Sequence, residues 1–359
     1  MTRLRISALP IAQCSLAAGI AWFVAHQLIG HVVPFFAPTA AVTTIGISLG
    51  GRLRRAVELV VGATVGVGVG DLFIRMVGTG SWQIALVVAV AMATAVLLNG
   101  GAAVAMQAAS SAVLIAVLLP QGSTAPGDRM VDALVGGLVG IAVVATIPGN
   151  PVQRTRRQAG EILSIAASAL RDCADGLLEQ DAGPIRAALE RARGTQSKLD
   201  ALRGFVAGEQ ELARVSPLYW NSRRRLQRLA VIADPLDNAI RNIRVLLRRA
   251  LTLVRDDEIL NPGIIAEIRT LADAVDVLRT MVLADPGQDP TPETAQAALR
   301  KVAQGATPDM VADAGLSAHV VFAQLRSATV DLLQVAGTDR LSAMSWLPPT
   351  VNHPYVKPA

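Results

Sequence analysis

The chain carries two patterns of apolar and polar residues, and the change from one to the other comes near residue 150. Over the first 150 positions apolar residues run in long blocks in which charged residues are sparse. A helix needs about 20 apolar residues to cross about 30 Å of hydrocarbon, so the intervals between charges count candidate membrane passes. Residues 6–51 contain no Asp, Glu, Lys or Arg and break at Gly30, His31 and Pro34, which predicts helices over 8–28 and 34–50. Residues 56–77 make a third. The uncharged stretch 76–127 divides at Asn99-Gly100-Gly101 into helices over 82–98 and 101–119, and 130–148 makes a sixth, stopped by Pro148-Gly149-Asn150-Pro151.

Beyond Pro151 the apolar residues recur with helical spacing, and alternating β-branched runs are scarce. Helix starts are marked by a capping residue followed by proline, whose missing N–H costs nothing at the first helical position: Ser216-Pro217, Asp234-Pro235, Asn261-Pro262, Thr291-Pro292 and Thr307-Pro308. After Pro235, residues Leu236, Ile240, Ile243, Leu247, Leu251 and Val254 form one apolar stripe, with Arg241, Arg244, Arg248 and Arg255 on a second face. The prolines of 284–292 mark a loop. The resulting organisation is all-α. A six-helix transmembrane bundle covers 1–150, a cytoplasmic helical bundle covers 151–340, and 341–359 is a proline-rich tail expected to be disordered.

Composition sharpens this division. Hydrophobic residues make up 52% of the chain and charged residues only 17%, which excludes an ordinary soluble protein. Only eleven charged residues fall in the first 150 positions, so the two parts live in different solvents. Arg3, Arg5, Arg52, Arg54, Arg55, Arg154, Arg156 and Arg157 share one side of a six-pass arrangement, against Arg75 and Arg129 on the other. Eight against two puts the N-terminus and everything after residue 150 in the cytoplasm, in an inner membrane. The first helix, lacking a small-x-small site before a polar mature region, reads as uncleaved. Nucleic acid is an improbable partner, since the arginines lack interleaved stacking aromatics. Cys14 and Cys173 make neither a disulfide framework nor a metal site.

No catalytic constellation emerges: His26, His31, His319 and His353 are scattered, and no nucleophile, zinc or phosphate-binding motif occurs. No cofactor or metal is called for. The membrane part offers helix packing and a sparse set of polar groups. Gly62, Gly66 and Gly70 lie one turn apart, a stripe that lets another backbone approach. The spacing returns with its charges, since Arg55-x-x-Glu58-x-x-x-Gly62-x-x-x-Gly66 is matched by Arg129-x-x-Asp132-x-x-x-Gly136-x-x-x-Gly140. The third helix starts inside and the sixth outside, so the halves read as inverted three-helix repeats. Each Arg stands one turn from its acid and is placed to pair with it, as Arg75 is with Asp71. Glu58, Asp71 and Asp132 are candidate proton carriers, because ionisable groups in lipid are costly and mark pathways. Thr39 and Thr43 with Thr44 and Ser48, and the central amide of Gln107, could line a path or merely bond back within their own helices.

These residues resemble the fusaric acid resistance and aromatic acid exporter family, related to the plant aluminium-activated malate transporters. The resemblance rests on Pro38-Thr39, on the run Gly51-Arg52-Leu53-Arg54-Arg55-Ala56-Val57-Glu58-Leu59-Val60-Val61-Gly62 leading to Gly66, on six helices, and on Pro235-Leu236-Asp237-Asn238-Ala239-Ile240-Arg241-Asn242 in a helical domain. It implies export or passive conduction of organic anions, with larger relatives made of two such halves; we read this chain as an exporter of small organic anions, aromatic or other hydrophobic carboxylates, acting as a bilayer-embedded homodimer or higher homo-oligomer. Three classes stay open: a proton-coupled exporter, a passive organic-anion channel, and a non-transporting scaffold whose cytoplasmic bundle binds a partner.

Overall fold

A computed structural model of the chain describes residues 2–48, 53–78, 80–98, 101–118, 127–146, 151–215, 220–285 and 288–358. Every regular element among them is a helix. The chain divides into two compact units, Met1–Gly149 with Ala207–Arg223, and Asn150–Val206 with Arg224–Ala359. The breaks expected at Asn99-Gly100 and Pro148–Asn150, the Ser216-Pro217 cap and the side chains of Arg54 and Arg55 lie outside the described residues.

The first unit contains α1 (Thr2–Phe23), continued by a π-helical turn (Val24–Leu28), then α2 (Phe36–Ser48), α3 (Leu53–Val77), α4 (Ser81–Leu97), α5 (Ala102–Leu118) and α6 (Asp128–Thr146). Each falls within a few residues of an apolar interval. Pro38 is tolerated in the first turn of α2, where backbone N–H groups have no partner within the helix. Three segments, Ile11–Leu28, Ala56–Val77 and Asp128–Thr146, are long and apolar enough to cross a membrane, and α4 and α5 supply shorter apolar helices. Leu28, Leu72, Met76, Leu97 and Met106 are all more than 60% exposed. A soluble surface avoids so much exposed apolar area, whereas a lipid-facing one requires it.

Small residues bring these helices together. The glycine stripe of α3 lies on α5, with Gly62 against Val104, Gly66 against Ala108 and Gly70 against Ala112. The stripe of α6 lies on α2, with Gly136 against Ala37 and Gly140 against Ala41. A Cβ at Gly66 would come within 2.3 Å of the Ala108 carbonyl oxygen, and one at Gly136 within 2.0 Å of that of Ala37, so backbone touches backbone at both crossings. In addition α3 packs on α6, α1 on α2 and α6, and α4 on α3 and α5.

The second unit comprises α7 (Pro151–Glu179), α8 (Ala182–Arg193), α9 (Gln196–Val215), α10 (Trp220–Arg255), α11 (Pro262–Leu283), α12 (Pro292–Gly305), a 3-10 turn (Pro308–Val311), α13 (Leu316–Val335) and α14 (Arg340–Ser345), although Ala207–Arg223 of α9 and α10 groups with the first unit. The Asn261 and Thr291 side chains cap α11 and α12 by accepting from the backbone N–H groups of Gly263 (2.8 Å) and Thr294 (3.4 Å). Thr307-Pro308 opens only the 3-10 turn. The six-residue stripe of α10 is buried throughout and joins α7, α8, α11, α12 and α13 in one core. Arg171 of α7 bonds Asp273 and Asp276 of α11, and Arg269 of α11 bonds Asp175 of α7, which ties the two helices along their exposed edges.

Two expectations fail here. Pro235 does not start a helix, because α10 runs through it from Trp220 to Arg255. An interior proline costs about 3 kcal/mol, and this one is offset on both sides. Ala233, Leu236, Ala239 and Ile240 are buried around it, and Arg203 grips Asp234 (3.0 Å) and Asp237 (2.9 Å) across it. The tail over 341–359 does not begin disordered. Asp339 caps α14 by accepting from Ser342 N (3.0 Å), Ala343 is fully buried, and Trp346 and Leu347 pack on the core.

Candidate functional site

At the end of α1 the π-helical turn and Gly30, whose φ of +89° favours glycine, reverse the chain. His31 is held there by its own backbone: its N–H donates to Ala25 O (3.1 Å), and its carbonyl accepts from Nδ1 of His26 (2.8 Å). This turns the His31 ring toward the start of α6. Its Nδ1 lies 2.6 Å from Oδ1 of Asp132 and its Nε2 3.6 Å from Oδ1 of Asp128. The Asp132 side chain is 5% exposed.

Beside this group stands a second. Asp71, near the end of α3, accepts from Nε of Arg75 one turn along (2.9 Å) and from Nη1 of Arg129 on α6 (3.0 Å). Asp71 and Arg129 are both buried. Burial of ionic groups among apolar helices is costly unless each is matched, and here guanidiniums flank one carboxylate while an imidazole meets the other. The sequence placed Arg129 opposite Asp132 on its own helix. The structure instead directs it across to Asp71, because on α6 the two side chains face different neighbours. His31 and Asp128 were missed, and the only hint of them was a turn-forming Gly30 and Pro34 bracketing a histidine between apolar helices.

The other candidates lie apart. The Thr39, Thr43 and Thr44 hydroxyls each donate to a carbonyl of α2 or the residue before it, as Thr residues in apolar helices often do. On α5, Nε2 of Gln107 donates to Oγ of Ser111 (3.4 Å). Glu58, half-buried, sits thirteen residues before Asp71 on α3, about 20 Å along the helix axis. An apolar groove of about 520 Å³ between α4 and α5 is lined by Val88, Ala109, Val113, Leu114 and Val117, with Ser110 at its side. No metal-holding cluster of His, Cys, Asp or Glu occurs among the described residues.

The sequence pattern of the fusaric acid resistance protein-like family matches residues 20–143. An uncharacterised protein of Corynebacterium glutamicum is 39% identical over an alignment covering all of this chain and 92% of that protein. The chain belongs to the fusaric acid resistance protein-like family. Proteins of Mycobacterium tuberculosis and Mycobacterium bovis named as candidate arylamide transporters are each 31% identical over 63% of this chain and 65% of their own length. The segment matched by the family contains the whole buried charge network, from His31 to Asp132. The second unit lies outside that segment and is shared with the Corynebacterium protein.

Proposed function

We propose that this protein is a multi-pass membrane transporter that exports aromatic or other hydrophobic carboxylates, with proton movement through the His31–Asp132 pair. The observation that carries the reading is the buried charge network at one end of the first unit, within the family's matched segment. Nδ1 of His31 and Oδ1 of Asp132 lie 2.6 Å apart, within reach of a proton passed from one to the other. Asp71, between two guanidiniums, serves as the fixed anchor joining α3 to α6. The mycobacterial relatives' name lends support for an aromatic substrate, and the eight-to-two distribution of basic residues for cytoplasmic termini in the inner membrane.

The inverted repeat gains support from the packing. Inversion of α1–α3 onto α4–α6 exchanges α5 with α2, and the two glycine stripes pack on these two helices, α3 on α5 and α6 on α2. We further propose a homodimer, in which a second copy completes the path beside Thr39, exposed on α2, and Gln107 on α5.

The test is uptake of radiolabelled benzoate into inverted vesicles under an imposed proton gradient. Asp132→Asn and His31→Gln should reach the membrane normally and lose gradient-driven flux by at least tenfold, while Glu58→Gln distinguishes a role for the opposite end. Undiminished gradient-driven flux in the double variant His31→Gln/Asp132→Asn would reject proton coupling through this pair.

A further inference from the structure

The second unit contains a cavity of about 560 Å³ between α10, α13 and α14, open to solvent on one side. Its volume is that of a small-molecule pocket. Its wall has two characters. Phe322, Met344 and Leu347 supply apolar surface, and Arg241, Arg326 and Arg340 bring three guanidiniums. Asp331 is the acidic group in the lining.

The three arginines are not equally committed. Arg241 reaches back to Asp237 on its own helix (2.7 Å), and Arg340 lies 3.6 Å from Asp331, whose other oxygen accepts from Asn242 (2.7 Å). Arg326 is half-buried and has no carboxylate within ion-pair distance among the described residues. It donates to two backbone carbonyls, Ala306 (2.6 Å) and Pro348 (2.5 Å), and stands 5.4 Å from the centre of the Phe322 ring. Two carbonyls and a ring face orient a guanidinium without neutralising it, and burial disfavours its charge. A guanidinium carries five N–H donors in a fork that matches a carboxylate, so donors remain for a ligand.

We infer that this pocket binds a small organic anion with an apolar body, a hydrophobic or aromatic carboxylate whose charge meets Arg326 and Arg340 and whose ring or chain lies on Phe322 and Met344. Because Arg326 also holds the Pro348 carbonyl, and α14 forms one wall, such a ligand would tie the C-terminal segment to α13. The inference is independent of what the first unit conducts.

The full-length protein in lipid nanodiscs is titrated calorimetrically with naphthalene-2-carboxylate and with its uncharged analogue naphthalene-2-carboxamide. The carboxylate should bind saturably below millimolar concentration and the carboxamide at least tenfold more weakly. Arg326→Gln should weaken the carboxylate at least tenfold and Arg340→Gln severalfold. If Arg326→Gln lowers the melting temperature, Arg340→Gln, with a side chain 62% exposed, and the carboxylate–carboxamide pair decide the matter. Equal affinity for the two probes, or wild-type affinity in both folded variants, overturns the inference, and the second result is also what binding among the membrane helices would give. Flux in vesicles is measured separately. Arg-dependent binding without flux upholds the pocket and counts only against the transport reading.

Discussion

Backbone meets backbone where α3 crosses α5, and a single methyl group tests it. Gly66→Ala adds one Cβ, which in place would lie 2.3 Å from the Ala108 carbonyl oxygen and 2.6 Å from its Cα, short of ordinary contact at 3.4 Å by about 1.1 Å. Neither atom belongs to a flexible side chain, so the helices themselves must separate. Gly62 and Gly70 sit on the same seam, and the separation loosens their contacts as well. Overpacking of this kind costs about 1–3 kcal/mol, and the rigid neighbour puts this site at the upper end. Alanine's higher helix propensity returns about 1 kcal/mol, leaving a net loss of about 2 kcal/mol. For a unit of this size that lowers the melting temperature by about 4–8 °C. Gly136→Ala, at 2.0 Å from Ala37 O, should behave alike. Gly19→Ala, with nothing within 4 Å, retains only the propensity gain and should be neutral or stabilising. The readout is the temperature at which detergent-solubilised protein loses its monodisperse size-exclusion peak. Equal melting of Gly66→Ala and Gly19→Ala would refute the close crossing.

Other perturbations address different parts of the molecule. Asp71→Asn removes the negative charge between Arg75 and Arg129 and should destabilise the chain by about 3 kcal/mol, the lower end for breaking a buried pair, measured by the same melting assay. Burial raises the Asp331 carboxyl to about 6 from 3.8, so the folded state holds the proton more tightly than the unfolded one. Its contribution is therefore full below pH 3.8 and lost as pH rises through 6. Asp331→Asn should match the wild type in stability near pH 4 and exceed it by about 3 kcal/mol at pH 7.5, and a pH-independent difference in thermal unfolding would contradict this. For topology, Val32→Cys should react with an impermeant maleimide in intact cells and Ile259→Cys only after permeabilisation, since both side chains are exposed. Cys173 is fully buried with its thiol pushed up by desolvation, so it should stay unlabelled in either case.

Much of the fold was legible because its signals are local. Uncharged intervals mark the apolar runs of α1, α2, α4 and α5, and sparsely charged ones mark α3 and α6, since the hydrocarbon thickness that sets helix length also disfavours charge. The apolar stripe from Leu236 to Val254 named its buried face, and Asn261-Pro262 and Thr291-Pro292 marked true caps. The failures also have local causes. Asp234-Pro235 has the form of a helix start, yet whether a proline begins a helix or sits within one depends on whether the residues around it are buried and held, and here Arg203, thirty-one residues away, holds them. The tail after residue 340 was judged by its prolines, whereas Trp346 and the Asp339 cap decide its packing.

The charge network was only half legible, for a reason that applies to any helical membrane protein. Spacing along one helix tells which residues share a face, and so it singled out Asp71 with Arg75 and aligned Arg55/Glu58 with Arg129/Asp132. It does not tell which neighbour that face meets. Arg129 lies three residues before Asp132 and fifty-eight after Asp71, and the nearer acid in sequence is the one taken by His31. The partner is chosen by the crossing of α3 with α6 and by the turn at Gly30. At the α3–α6 crossing the close contact is Gly137, beside the α6 stripe, against Val60. A substitution that spreads a glycine seam should disturb the ion pairs without touching a charged residue, so Gly137→Ala, whose Cβ would lie 2.4 Å from the Val60 side chain at the α3–α6 contact, is expected to impair proton-driven flux more than it lowers folded yield. Loss of flux and of folded protein in equal measure would sever that link.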